Sequence, residues 1–163
     1  MDTLANARRE LWEAMKAGGG ECACCKRFAK LYRYSISKAQ ISASNWIVRK
    51  SGVKRAWVNV QDRAPKWLLR SNSHGKLVHW GLLEQQPASE DGIHHSGVWR
   101  PTEFGMQFFH GNANVLKYAL VFNNECLGRD GDEVSYNDLF DEFHYGELMK
   151  ATALPLHNRS ASA

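Results

Sequence analysis

The sequence predicts an α+β fold. Two segments, residues 3–17 and 36–50, carry apolar residues at helical spacing, and glycines follow both of them. Short runs bounded by turn residues indicate strands near residues 57–60, 82–86 and 98–100. With 163 residues, of which 44% are hydrophobic, the chain is long enough to bury a core. We expect one folded domain, or one domain with an appendage.

The N-terminal part combines a helix with a cysteine cluster. Thr3 caps the helix, and its apolar positions are Leu4, Leu11, Trp12 and Met15. Three consecutive glycines, residues 18–20, end the helix and predict a flexible joint. The apolar positions either pack internally or pair two copies of the chain as a homodimer.

The central residues follow a recognisable order of elements. After the helix at 36–50 we expect a short strand at 57–60, a helical stretch with Pro65 in its first turn, and a helix at 71–80. Two strands then flank a loop of turn residues, and Thr102 caps a further helix. This order, helix, strand, helix, helix, β-hairpin, helix, is that of a winged helix-turn-helix domain. Gly75, inside the helix at 71–80, costs about 1 kcal/mol relative to alanine, so either a neighbour packs closely there or the helix is weak.

The predicted organisation has four parts. Residues 1–34 form the N-terminal helix and a cysteine knuckle, and residues 35–110 form the winged-helix domain. Residues 111–151 form a small C-terminal β-hairpin, turning at Asn123-Asn124, plus an acidic helix that Ser135 caps. Residues 152–163 are small and polar and are predicted to be a disordered tail.

Residues 80–109 carry the most specific motif. It begins with Trp80-Gly81-Leu82-Leu83-Glu84 and, after a polar loop, continues as Trp99-Arg100-Pro101-Thr102-Glu103-Phe104-Gly105. This stretch resembles the end of the recognition helix, the wing and the following helix of winged-helix regulators of the MarR and PadR type. The resemblance covers about residues 36–110 and implies a winged-helix fold.

The whole chain also resembles a family of small phage and prophage proteins. Members carry a CxxC pair, here Cys22 and Cys25, and a Lys-Leu-Tyr sequence, here residues 30–32. They end in Phe-x-Tyr-x-Glu-Leu-Met, here residues 143–149. This resemblance implies a phage-type setting and supplies no activity.

The charges are divided along the chain. Residues 21–80 hold 13 Lys and Arg against two acids, a net charge of +11, whereas residues 81–163 hold 5 against 12, a net charge of −7. Ordinary surfaces intersperse both signs, so a basic segment of this strength indicates a phosphate-binding surface. We therefore predict a non-catalytic double-stranded DNA-binding protein, with a role in regulating transcription or replication.

Helix 71–80 is predicted to enter the major groove, where its early residues reach base edges and neighbouring cations contact phosphates. The predicted base-reading positions are Arg70, Ser71, Asn72, Ser73, His74 and Lys76. The predicted phosphate contacts are Lys50, Lys54, Arg55, Arg63 and Lys66, with Arg100, His94 and His95 in or beside the wing.

The cysteines predict one structural zinc site. Cys22 and Cys25 have the spacing of a zinc knuckle, and a tetrahedral site needs four ligands. Cys126, with His110 or His144, completes a Cys₃His set. The alternative is a knuckle without metal, whose cysteines pack as small apolar residues.

The acidic end supplies the rival function. Asp138, Asp141, Glu142 and Glu147 surround apolar residues. This mixture predicts either a segment that packs on the chain's own core or a surface that inhibits or redirects a host protein.

Other classes of protein are disfavoured. No nucleophile, base and orienting group can be assembled from the spacing, and no phosphate-cradling glycine loop is present in the sequence, so we expect no enzyme. No apolar run approaches the roughly 18 residues that span a bilayer, and the N-terminus lacks the pattern of a signal peptide. We expect no membrane partner, reduced thiols and a cytoplasmic location, which is the host cytoplasm if a phage encodes the chain.

Overall fold

A computed structural model describes residues 3–139, and these form two compact units. The N-terminal unit comprises residues 3–35 and 116–132, and the central unit comprises residues 36–115 and 133–139. The acidic residues Asp141, Glu142 and Glu147, His144 and the predicted tail lie outside the described residues. Over residues 3–139, no helix combines the length and the apolar character that crossing a membrane requires.

The N-terminal unit is built on one helix and two small antiparallel sheets. Helix α1 spans Leu4–Ala17, and the Thr3 side chain accepts a hydrogen bond from the Asn6 backbone N–H, as predicted for its cap. Strands β1 (Gly20–Glu21) and β2 (Phe28–Ala29) form a hairpin around the cysteines. Strand β3 (Tyr32–Ser35) pairs with β7 (Asn114–Phe122), which pairs with β8 (Glu125–Ser135).

The core of this unit shows where the apolar residues of α1 pack. Met15, Ala29 and Leu31 are buried together, and the residues packed against them are Leu11, Trp12, Leu120 and Phe122. Three of the four apolar positions of α1 therefore pack within the unit, whereas Leu4 is exposed.

The β7–β8 hairpin turns where the sequence predicts. Asn123 and Asn124 both have positive φ, 49° and 63°, the backbone that a two-residue type I′ turn needs and that asparagine tolerates. The hairpin does not form a separate C-terminal region, because most of it belongs to the unit that contains α1. Residues 130–133, whose Asp-Gly-Asp-Glu sequence predicts a hairpin turn, lie within β8 instead.

The central unit begins with helix α2, Lys38–Ser51. Its capping box is reciprocal, since Ser37 accepts from the Gln40 backbone and the Gln40 side chain accepts from the Ser37 backbone N–H. Then follow β4 (Val58–Asn59), α3 (Val60–Arg63), α4 (Lys66–Ser71) and a 3₁₀ helix (His74–Trp80). Strands β5 (Leu83–Gln85) and β6 (Val98–Pro101) flank the predicted wing loop, and α5 spans Glu103–Phe109.

The three strands of this unit form one antiparallel sheet in the order β4-β6-β5. Trp80, Leu82 and Phe108 are almost completely buried, so the 3₁₀ helix, the start of β5 and α5 share one core. Thr102 caps α5 as predicted, and its side chain accepts from the Gly105 backbone N–H at 2.8 Å. The α+β class is thus confirmed, with small antiparallel sheets in both units.

The continuous helix predicted at 71–80 is wrong. The α-helical part ends at Ser71, because Asn72 takes a left-handed conformation with φ of 40°, and a 3₁₀ helix starts at His74. The nearest atom to a side chain at Gly75 would be a Trp99 ring carbon 3.7 Å away, an ordinary contact. No close packing therefore compensates the glycine, and the segment takes the weaker 3₁₀ form.

Candidate nucleic-acid interface and cysteine turn

Lys66 and Arg70 form a cationic pair on α4. They lie four residues apart, so their side chains are neighbours on one side of the helix. Leu68 lies on the opposite side and is fully buried, whereas both cations are exposed. Helix α4 therefore packs through Leu68 and presents Lys66 and Arg70 to solvent.

Two predicted phosphate contacts are instead held inside the central unit. Glu84 of β5 lies across from Arg100 of β6, and their side chains form an ion pair of 2.5 Å. The Arg100 guanidinium also lies over the Trp57 ring, 4.1 Å from its centroid. Arg55 lies 3.8 Å from both Glu84 and Glu103. Arg55 and Arg100 thus link the sheet to the start of α5, so their charges are already paired within the central unit.

Most of the other basic side chains of the central unit are exposed. Residues 36–80 contain nine Lys and Arg against one acid, Asp62, which accepts a hydrogen bond from Asn59 at 2.7 Å. Lys76 is exposed. A further group is exposed and forms no ion pair with any residue in 3–139: Arg49, Lys50, Lys54, Arg63, Lys66 and Arg70. These side chains give the unit a basic surface.

The polar residues from the end of α4 to the start of the 3₁₀ helix differ in the hydrogen bonds that their side chains form. The Ser71 hydroxyl donates to the Leu68 carbonyl at 3.0 Å, and the Ser73 hydroxyl donates to the Ala39 carbonyl of α2 at 3.4 Å. Asn72 is exposed at the end of α4. Both serine hydroxyls therefore donate to backbone carbonyls, and Ser71 and Asn72 are exposed to solvent.

His74 cannot reach a base edge in this structure, contrary to the prediction from sequence. Its side chain is 2% exposed and its ring meets the Trp99 ring edge-on, with centroids 5.1 Å apart. Among the described residues no partner hydrogen-bonds its Nδ1 atom. Burial lowers the pKa of His74, because the charged imidazolium is disfavoured away from water.

This burial predicts a pH dependence of stability. The unfolded chain takes up a proton at His74 near pH 6.5, whereas the folded chain takes it up only at lower pH. The contribution of His74 to the free energy of unfolding is therefore complete above that pH and is lost as the pH falls through the unfolded pKa. We expect His74→Phe to flatten the decline in urea midpoint between about pH 7 and pH 5, and the exposed control His94→Phe to leave it unchanged. Equal slopes for His74→Phe and the wild type would contradict this.

The loop predicted to be a wing does not carry a basic tip. It joins β5 to β6 across residues 86–97, and Ser89 and Gly92 form its turn through backbone hydrogen bonds. Glu90 and Asp91 are exposed in this turn, so the tip would repel phosphate. His94 is exposed and His95 partly so, but both follow the acidic pair.

The cysteines near the N-terminus sit on a tight turn. The Cys22 N–H donates to the Arg27 carbonyl at 2.9 Å, the Lys26 N–H donates to the Cys22 carbonyl at 2.8 Å, and Lys26 has a left-handed φ of 61°. The backbone N–H of Cys25, and then that of Cys24, hydrogen-bond to the Cys22 sulfur and lower the pKa of that thiol. The turn thus favours a thiolate at Cys22.

Gly19 and Gly20, two of the three glycines predicted to form a flexible joint, are closely packed. A side chain at Gly19 would lie 2.3 Å from the Phe28 ring. The ring of Phe28 therefore covers Gly19 and ties β2 to the end of α1.

The predicted Cys₃His zinc set is not assembled. Within residues 3–139 no three His, Cys, Asp or Glu side chains come together as metal ligands. Cys126 lies on β8, where its thiol donates to the Gly128 carbonyl at 3.3 Å. All four cysteines are free thiols. Cys22 and Cys25 by themselves offer two of the four ligands that a zinc site needs.

A cavity of about 770 Å³ in the central unit was not predicted. Its wall includes Val48 of α2, Trp67 of α4, Phe109 of α5 and Tyr136. The Tyr136 hydroxyl exchanges hydrogen bonds with the Asn45 side chain at 2.9 and 3.1 Å. These residues are far apart in the sequence, so no local pattern marks them.

The one described residue of the acidic group has a structural role. Asp138 and Ser135 cap each other: the Asp138 N–H donates to the Ser135 hydroxyl at 3.1 Å and the Ser135 N–H donates to the Asp138 carboxylate at 2.8 Å. The backbone and then the hydroxyl of Ser135 lower the pKa of Asp138. The predicted cap at Ser135 is confirmed.

Comparisons with protein-family models, with curated proteins and with solved structures found no match to this chain.

Proposed function

We propose that the central unit binds double-stranded DNA without catalysis, in a regulatory role of the kind that phage-type regulators have. The observation that carries the proposal is the exposed pair Lys66 and Arg70 on α4, in a stretch where cations far outnumber acids. A duplex presents one negative charge per roughly 1.7 Å of its axis, so several spaced cations on one unit suit it.

The pairing of the acids supports this proposal. Glu84 and Glu103 are neutralised by Arg55 and Arg100, and Asp62 accepts a hydrogen bond from Asn59. Within residues 3–139 none of these three acids forms an ion pair with Lys66 or Arg70, so phosphate can serve as the counterion of these two side chains.

The order of elements supports a winged-helix variant as the framework. A helix precedes β4, two α-helical segments and a 3₁₀ helix separate β4 from β5, and the sheet order is β4-β6-β5. In such a domain the helical segment before the hairpin faces the groove. Here that segment is divided at Asn72, so α4 takes the contact role that the sequence gave to residues 71–80.

The assignment of contacts follows from exposure. We assign phosphate contacts to four exposed cations, since such contacts require only a charge in the right position. These cations are Lys50, Lys54, Arg63 and Lys66. Arg70 and Asn72, exposed at the end of α4, are the side chains able to make paired hydrogen bonds to guanine and adenine.

Hydrogen–deuterium exchange of the full chain, with and without a duplex of about 25 base pairs, tests the proposal. We expect added protection over residues 60–80 and little change over the acidic wing tip at 89–92. The single strand of the same sequence should compete less well than the duplex. Protection confined to residues 133–139 or to α1 would contradict the proposal.

A further inference from the structure

The turn that holds Cys22 and Cys25 can supply two metal ligands. Cys22 and Cys25 are fixed by the β1–β2 hairpin, and the backbone N–H groups of Cys24 and Cys25 already point at the Cys22 sulfur. Outer hydrogen bonds of this kind orient a thiolate ligand and stabilise its charge in zinc sites.

We propose that two copies of this chain bind one Zn²⁺ between them, each copy supplying the sulfurs of Cys22 and Cys25. This site does not depend on DNA binding. The reaction is balanced by protons: four thiols and one Zn²⁺ give a tetrathiolate complex of charge −2 and release four protons.

The number of ligands favours a second copy. Structural zinc takes four ligands in a tetrahedron, and within residues 3–139 no group of three or more His, Cys, Asp or Glu side chains could hold a metal ion. The Cys24 side chain also hydrogen-bonds with that of Cys22, but Cys24 is too close in sequence to complete an unstrained tetrahedron with Cys22 and Cys25. A two-fold axis through the metal supplies the missing pair from an identical turn, which makes the contact self-complementary.

The surroundings of the turn also suit this arrangement. Cys25 is exposed, and Phe28, three residues on, is 67% exposed although its ring covers Gly19. An exposed aromatic ring beside the ligands can be buried against the second copy.

The local charge makes the association depend on metal. Lys26 and Arg27 follow the ligands and Glu21 precedes them, so two copies bring four cations and two carboxylates, a net charge of +2, to a complex of charge −2. Without zinc these cations repel one another, and with zinc they offset the charge of the four thiolates. Removal of zinc should therefore separate the copies.

Native mass spectrometry of the full chain, reduced and loaded with zinc, tests this site directly. We expect two chains with one zinc, and single chains after a chelator is added. Cys22→Ser and Cys25→Ser should each abolish zinc retention and pairing, whereas the matched controls Cys24→Ser and Cys126→Ser should keep both.

Circular dichroism of each variant shows whether it still folds, and Co²⁺ in place of zinc gives a second readout, the absorption of a tetrahedral thiolate site. One zinc on a single chain, loss of zinc in Cys24→Ser or Cys126→Ser, or no zinc retained by the wild type would each overturn the proposal. None of these outcomes bears on the binding of DNA by the central unit.

Discussion

The double variant Lys66→Ala/Arg70→Ala is expected to bind duplex DNA roughly 10- to 100-fold more weakly than the wild type. Both side chains lie on the exposed side of α4, so their removal deletes two phosphate or base contacts without opening the core. The salt dependence should weaken too, by roughly one unit of log–log slope for each lost phosphate contact. Fluorescence anisotropy with a labelled duplex measures both quantities.

The matched control is Arg8→Ala/Lys117→Ala. It removes the same charge from exposed positions of the N-terminal unit. We expect this control to stay within about threefold of the wild type, because neither side chain belongs to the basic surface of the central unit. An equal loss of affinity in both double variants would show that net charge alone drives binding and would contradict a contact surface on α4.

Gly105→Ala is expected to destabilise the central unit by about 2–3 kcal/mol. A Cβ atom at this position would lie 2.0 Å from the Leu82 carbonyl oxygen and 2.9 Å from the Leu82 carbonyl carbon, and backbone atoms cannot rotate away. Helix α5 would have to move off the start of β5. Urea unfolding, followed by tryptophan fluorescence, measures the change.

Gly75→Ala is the matched control for this variant. Its new Cβ atom would make only an ordinary contact with Trp99, and alanine restricts the unfolded chain more than glycine does. We expect no loss of stability and a gain of up to about 1 kcal/mol. A Gly105→Ala variant as stable as Gly75→Ala would show that α5 does not pack against Leu82 as described.

The helices with strong end signals were predictable from sequence. Thr3, Ser37 and Thr102 each supply a side-chain oxygen just before an apolar pattern, and each begins a helix in the structure. The turn at Asn123-Asn124 was predictable for the same reason, since few other residues tolerate two successive positive φ angles. These signals are local, so a single sequence contains them.

Long-range features were not predictable. Strand β3 pairs with β7, more than eighty residues further along the chain, and no local pattern reveals that partner. The same is true of Arg100: its ion pair with Glu84 depends on the register of β5 against β6 across a long loop. The sequence predicts a DNA contact at Arg100 and does not reveal this ion pair within the sheet.

The candidate site was predictable in its charge and less so in its geometry. The excess of cations over residues 36–80 identified the basic surface. Because the helix breaks at Asn72, the exposed cations Lys66 and Arg70 lie on α4. His74, which the sequence predicts to contact a base, is buried. The polar run Ser71-Asn72-Ser73 was the available signal for the break, because such side chains compete with helical hydrogen bonds.

The most direct test of the central claim is the affinity of the wild type for a random-sequence duplex of about 25 base pairs, measured by anisotropy between about 50 and 300 mM salt. Because the central unit has several exposed cations, we expect the logarithm of the association constant to fall linearly with the logarithm of the salt concentration, with a slope of roughly −4 to −6. A flat response, or no binding at the lowest salt, would contradict DNA binding by this unit.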